Sequence, residues 1–157
     1  MCIRDSFDRL FGSNVKGHFL FGRAVAAVMM ENDGGNIVNI STDHVVEGPG
    51  RDPHHGHGAM DLYNAAKWAI NGLTFDWAKA LAKHRIRVNN LCMGATDTPM
   101  MRGFVPDAPA ELSATWMQPD QIAQVLVDLL QEGPDGRTAD SIALLVGQPC
   151  ALPDPLG

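Results

Sequence analysis

Apolar positions set the outline of this chain. Phe7, Leu10, Phe11, Val15, Phe19, Gly22, Val25 and Met29 recur at helical spacing and predict a long helix with one apolar side. Its most apolar run, Phe19 to Met30, reads as core-facing; it is interrupted by Arg23 and too short to span a bilayer. Asn14 breaks the pattern between Gly12 and Gly17, where its amide can cap a helix that restarts after a break. The turn Asn32-Asp33-Gly34-Gly35 then releases Asn36 to Thr42, short, β-branched and flanked by glycine, which predicts a strand buried on both faces.

Val45 to Ala59 has no regular pattern and predicts a long loop, a kind of segment that often covers a ligand. A second long helix is predicted from Met60 to His84, with Leu62, Ala66, Ala69, Ile70, Leu73, Trp77 and Leu81 as its stripe. Gly72 inside it weakens the helix and so predicts a close packing contact. Ile86 to Leu91 predicts a second buried strand, with Cys92 to Pro99 as the turn beyond it. Met100 to Thr115 is weakly patterned and reads as a mobile flap with a short helix. Pro119 opens another helix, faced by Ile122, Val125, Leu126, Leu129 and Leu130 and ended by Gly133-Pro134. Ser141 to Val146 predicts a third strand, and residues 149–157 a loose tail.

Helix and strand alternate throughout, the mark of an α/β fold with a parallel sheet covered by helices. Three strands leave an open edge, so the pattern predicts half of a doubly wound sheet, within a single domain over residues 1–157. The opening Met1-Cys2-Ile3-Arg4-Asp5-Ser6 has no periodicity and reads as non-native sequence ahead of a missing upstream segment.

Composition narrows the partners. The 157 residues are 45% hydrophobic, enough for one real core. Twelve Lys plus Arg against 18 Asp plus Glu give a net charge of -6, which offers no basic stripe to nucleic acid. Cys2, Cys92 and Cys150 lie far apart without metal or redox spacing, which fits a reducing, cytoplasmic setting. His54, His55 and His57 are separated by turn glycines and lack a carboxylate or cysteine at ligand spacing, so no metal site is expected there.

The candidate chemistry sits on the second helix. Tyr63 and Lys67 are four residues apart, hence on one face about 5 to 6 Å apart at Cβ, at the edge of the apolar stripe. A fixed cation beside a phenol lowers its pKa from about 10 and makes it a usable general acid and base. Thr42, Asp43 and His44 fall at the carboxyl end of the first strand, where open α/β sheets bind ligands.

Taken together, these segments resemble the NAD(P)-dependent short-chain dehydrogenase/reductase family over Phe7 to Val146. Ser13-Asn14-Val15-Lys16-Gly17 resembles its Asn-containing helix, and Ile37-Val38-Asn39-Ile40-Ser41-Thr42 its active-site strand. Tyr63 to Lys67 resembles its Tyr-x-x-x-Lys, and Arg87-Val88-Asn89 through Met93-Gly94 to Thr98 its last cofactor segment. The resemblance implies a Rossmann-like fold and hydride transfer between NAD or NADP and a small alcohol or carbonyl substrate. Tyr63 would exchange the proton with the substrate oxygen, while Lys67 would lower its pKa and hold the nicotinamide ribose. Thr42 would stand for the family's usual Ser, Ser41 would be structural, and Asn14 would hold a water in a proton relay behind Lys67. Gly94, Thr96 and Thr98 would contact the nicotinamide and its neighbouring phosphate, and Asp43 and His44 would line the substrate pocket. The two long helices would form a homo-oligomer surface.

The chain departs from the family in four places. Thr42 adds a methyl group, Met93 replaces the usual Pro, and the Thr42 to Tyr63 interval is long because of the His-containing loop. The family's glycine-rich pyrophosphate turn after a first strand is not found, so the N-terminal βαβ half is expected to be missing and the isolated chain to bind cofactor poorly. Two other readings stay open: a noncatalytic dimerising module, and a lyase or isomerase on the same Tyr and Lys.

Overall fold

A computed structural model describes residues 3–46 and 60–154, with side chains from residue 6. The expectations for Met1 and Cys2, for the His54, His55 and His57 loop and for residues 155–157 lie outside the described residues.

Helix α1 (Ile3–Phe11) begins within the opening hexapeptide, ahead of the patterned residues. It does not break at Asn14. The chain passes through one π-helical turn, Gly12–Lys16, straight into α2 (Gly17–Glu31). That turn widens the helix by one residue and turns Asn14 with it, a device common at functional sites. No side-chain cap is present, because an uninterrupted helix has no free N–H groups there to satisfy.

Gly34 takes φ 124° to let the chain turn past the Arg85 carbonyl into strand β1 (Gly35–Thr42). A 3-10 turn, Asp43–Val45, follows. Helix α3 (Asp61–Leu81) leads through a second 3-10 turn, Ala82–His84, to β2 (Ile86–Met93). Cys92 and Met93 therefore end the strand instead of opening the turn. The flap contains two short helices, α4 (Pro99–Phe104) and α5 (Ala110–Ser113). Helix α6 (Pro119–Gln131) starts with a Gln118/Gln121 capping box, and β3 (Ser141–Leu144) completes a parallel sheet of order β1-β2-β3. The fold is α/β, a partial, Rossmann-like doubly wound sheet.

Strand alternation sends side chains into two layers. Ile37, Ile86 and Val88 meet Met29, Trp77, Ala78 and Leu81 of α2 and α3. Val38, Ile40, Leu91, Ile142 and Leu144 meet Ile122, Val125 and Leu129 of α6. Cys150 and Leu152 pack on that second cluster, and the Pro153 carbonyl accepts a 2.8 Å bond from Arg137. The tail is thus docked over these residues, contrary to the looseness its prolines suggest.

Helix α2 corrects a second expectation. Only Gly22 and Ala26 are buried, while Leu20, Phe21 and Val28 are exposed, so much of its apolar surface faces outward. Gly72 has open space where a Cβ would stand, so no packing contact among the described residues explains it.

Near the carboxyl ends of the strands the α3 layer is polar. Asn39 donates to Thr74 Oγ1 at 2.8 Å, Asn90 donates to Asn71 Oδ1, and Asn71 donates to the Val45 carbonyl at 3.1 Å. Buried amides left unpaired are costly, so these bonds discriminate strongly between registers of α3 on the sheet. They set where Tyr63 and Lys67 arrive.

Candidate active site

Tyr63 and Lys67 lie in the first two turns of α3, beside the carboxyl end of β1. The Thr42 side chain acts on the Tyr63 phenol, pulling its pKa down against the larger effect of burial. Lys67 Nζ lies 5.6 Å from the centre of the Tyr63 ring and donates to the Ile40 carbonyl at 2.8 Å. Thr42 is buried, and its Oγ1 donates to Asp43 Oδ1 at 3.2 Å. His44 is oriented by Nδ1, 3.2 Å from Asn64 Oδ1, with Nε2 3.9 Å from Asp43 Oδ1. Just beyond β2, Gly94 backs onto Asp43: a Cβ there would meet Asp43 Oδ2 and Val146 Cγ2, each at 2.9 Å. Residues from β1, α3 and the end of β2 thus meet at one sheet edge.

The electrostatics differ from the sequence expectation in one respect. The Tyr63 phenol is raised, not lowered, from its ordinary value. Burial is the largest cause; the Thr42 side chain opposes it and the Asp43 carboxylate adds to it. Lys67 spends its nearest donor on Ile40, and burial lowers its own pKa, against a smaller opposing effect from Cys92. The phenol is therefore held protonated at neutral pH, the form a proton donor needs.

Asn14 reaches this group indirectly. Its Oδ1 accepts from Ser13 Oγ at 3.2 Å, and its backbone acts on the His18 ring one turn on. Burial and the charge of Lys67 push His18 down, and the Asn14 backbone pulls the other way. Thr96 and Thr98 are more local. Thr96 Oγ1 donates to the Gly94 carbonyl at 3.2 Å, and Thr98 Oγ1 caps α4 by accepting from Met101 N at 3.2 Å. The flap is anchored: Arg102 bonds Asp97 through two 2.7 Å contacts and lies over the ring of buried Trp116.

Sequence reasoning missed Asn64, His18 and the Asn39–Thr74 and Asn71–Asn90 pairs. Polar amides inside a strand, Asn39 and Asn90, and a histidine one helical turn beyond Asn14 were the signals available.

The site fits the nicotinamide-riboside end of a dinucleotide. Lys67 keeps ammonium protons beyond the one given to Ile40. Among the described residues, no glycine-rich turn joins a strand to a helix N-terminus to receive the pyrophosphate. Also among the described residues, there is no group of three or more His, Cys, Asp or Glu that could hold a metal, and no helix long and apolar enough to cross a membrane.

A parallel sheet with helices on both faces defines a partial Rossmann-like α/β domain, with Tyr63, Lys67 and Thr42 near its carboxyl edge. The family model for short chain dehydrogenases matches residues 1–109, and the chain belongs to this family. It is 36% identical over 118 residues to the short-chain dehydrogenase srdC of Neurospora crassa, covering 66% of this chain and 40% of that protein. It is 32% identical over 144 residues to the oxidoreductase YohF of Escherichia coli, covering 88% of this chain and 54% of that one. The crystal structure of acetoin dehydrogenase YohF from Salmonella typhimurium superposes with a TM-score of 0.72 at 27% identity, over 91% of this chain and 55% of that one. The chain spans about half the length of the curated relatives it matches. Membership agrees with NAD or NADP as the cofactor type, without choosing between them.

Proposed function

We propose that residues 1–157 form one domain carrying the acid–base and nicotinamide end of an NAD(P)-dependent oxidoreductase that interconverts a small alcohol and a carbonyl. Lys67 Nζ, 5.6 Å from the centre of the Tyr63 ring and bonded to the Ile40 carbonyl two residues before Thr42, carries this reading. The nicotinamide, when bound, gives or takes the hydride. Tyr63 gives its proton to the substrate oxygen in reduction and regains it in oxidation. Thr42 Oγ1 offers a second hydrogen bond to that oxygen as charge develops on it. Lys67 holds positive charge beside the phenol and turns its remaining protons toward a ribose. Asn14 holds a water behind Lys67, Gly94 contacts the nicotinamide, and Thr96 and Thr98 shape the wall near its phosphate. Asp43 and His44 line the substrate side.

In the complete protein, Tyr63→Phe is expected to lower turnover at least about 100-fold while cofactor binding is kept. Full activity of that variant overturns the mechanism. The isolated chain is expected to bind cofactor poorly and to be inactive; micromolar binding of NADH or NADPH by it refutes that expectation.

One observation favours a second role. Phe19, Leu20 and Phe21 on α2 and Trp68 and Phe75 on α3 are exposed, and Phe7 stacks on Phe11 at 4.4 Å along the same continuous helix. These helices offer a surface for homo-oligomerisation, and dimers that survive dilution without nucleotide would support the noncatalytic module. A reducing, cytoplasmic setting is proposed from the wide spacing of Cys2, Cys92 and Cys150 in the sequence.

A further inference from the structure

Thr42 lies in a segment that helix α3 holds on both sides of it. Before it, Lys67 Nζ donates to the Ile40 carbonyl at 2.8 Å, and Asn39, one residue earlier, donates to Thr74 Oγ1 at 2.8 Å. After it, Asn71 Nδ2 donates to the carbonyl of buried Val45 at 3.1 Å. Lys67 and Asn71 stand one turn apart on the same face of α3, about 6 Å along its axis. Between the two carbonyls run the end of β1 and the 3-10 turn Asp43–Val45. The ring of His44 also reaches α3, 3.2 Å from Asn64, but that bond is made by a side chain and does not fix the main chain of the turn.

The direction of these hydrogen bonds is forced. A carbonyl only accepts, so Asn71 presents Nδ2 to Val45 and turns Oδ1 toward Asn90, which donates to it from β2. Asn90 Oδ1 is thereby left without a partner among the described residues, on a fully buried residue. Apolar side chains of the same size would dock α3 on the sheet without that cost. What the two amides add is orientation: they aim a donor at one main-chain carbonyl, three residues beyond Thr42.

We propose that Asn71 is a positioning residue: by holding the Val45 carbonyl it fixes the turn after Thr42 and keeps Thr42 facing Tyr63, with Asn90 setting the sense of the Asn71 amide. This rests on the reading of Thr42 and Tyr63 given above. Lys67 holds the Ile40 end and serves the cofactor as well in that reading, whereas Asn71 has the turn alone to hold.

Tyr63 is the one tyrosine in the sequence, so a nuclear Overhauser contact between its ring and the Thr42 methyl group can be read in the full chain. The wild type is expected to show it; absence there overturns the proposal together with the site reading. Asn71→Ala is expected to lose the contact. Asn90→Ala takes away a buried amide of the same size but leaves Asn71 on Val45, and is expected to keep it. A contact retained in Asn71→Ala, or lost equally in both variants, overturns the proposal and leaves the site reading standing. Asn71→Asp adds a readout that loss of packing would not give. Its carboxylate sets an acceptor against the Val45 carbonyl, and its protonated acid donates there again; burial raises such a carboxyl above its usual value of about 3.9. The contact is expected to be lost at alkaline pH and to return on acidification, with no such change in the wild type. Should Asn71→Ala not fold, this titration decides alone: reversal with pH supports the proposal, and a contact insensitive to pH overturns it.

Discussion

Gly22 and Gly72 are both helical glycines, yet the structure predicts opposite outcomes for replacing them with alanine. In an exposed helix the change from Gly to Ala gains about 1 kcal/mol. Gly72 has open space where the methyl group would go, so Gly72→Ala should gain that amount. At Gly22 the new Cβ would stand 2.3 Å from two carbons of the Trp77 ring, where about 3.5 Å is the closest comfortable approach. The ring would have to retreat by roughly 1.2 Å. It is confined by Phe19, whose ring centre is 6.4 Å away, and by the cluster of Ala78, Ile86 and Val88. Overpacking of this kind costs about 1 to 3 kcal/mol, which outweighs the helix gain and leaves Gly22→Ala destabilising by up to about 2 kcal/mol. Truncating Trp77 to Leu removes the obstacle, so Gly22→Ala made in Trp77→Leu should change sign and stabilise by up to about 1 kcal/mol. Urea unfolding followed by circular dichroism measures all four chains of the cycle, with midpoints compared at a constant slope. Stabilisation by Gly22→Ala in the wild-type background would refute the α2–α3 packing described here, and with it the placement of the π-helical turn against α3.

Three further outcomes follow from the ionisable groups. Glu132 lies between Arg137, bonded at 2.6 Å, and Arg87 at 3.6 Å, with both arginine side chains only 6% exposed. Glu132→Gln leaves buried Arg87 without its carboxylate and Arg137 with Asp140 alone, at 3.5 Å, and should cost about 3 kcal/mol in urea unfolding; a loss under half that value would mean that Asp140 and the carbonyls of Leu129 and Arg137 suffice. His18 is lowered in the folded chain by burial first and Lys67 second, so the unfolded chain takes up its proton at the higher pH. The associated stability is present above about pH 6.5 and is lost as pH falls through the folded value, and His18→Gln should flatten that part of the stability profile. Tyr63 behaves in the opposite sense: its folded pKa is raised, so its contribution is full below about pH 10 and is lost as pH rises toward the folded value. Tyr63→Phe should abolish this alkaline loss, and an unchanged profile would show that the phenol is not buried as described.

The alternation of periods in the sequence was enough to locate three strands and the helices between them, because each buried strand is a short apolar run bounded by glycine or proline. Strand β1 falls within one residue of its expected start, and Pro119 and Gly133 mark the ends of α6 as helix chemistry requires. Boundaries failed where tertiary contacts replaced local signals. Asn14 looks like a helix break in one dimension, but packing of α1 and α2 against α3 keeps the helix continuous and absorbs the extra residue as a π-helical turn. The tail is rich in proline and has no pattern, yet Cys150 and Leu152 find a hydrophobic cluster to cover.

For the site, four-residue spacing alone places Tyr63 and Lys67 on one helical face, and chain order alone puts Thr42 at the carboxyl end of a strand. Those are local consequences of backbone geometry, and a sequence carries them. The direction of the Tyr63 shift is not local. A neighbouring lysine favours the phenolate, but burial and the Asp43 carboxylate oppose it, and both depend on where the strands, helix α3 and Gly94 come together. The kinds of chemistry available were thus set by residue type and spacing. Which group holds a proton, and against which neighbour, was decided only by packing, since desolvation and short-range hydrogen bonds exist only once distant segments exclude water from one another.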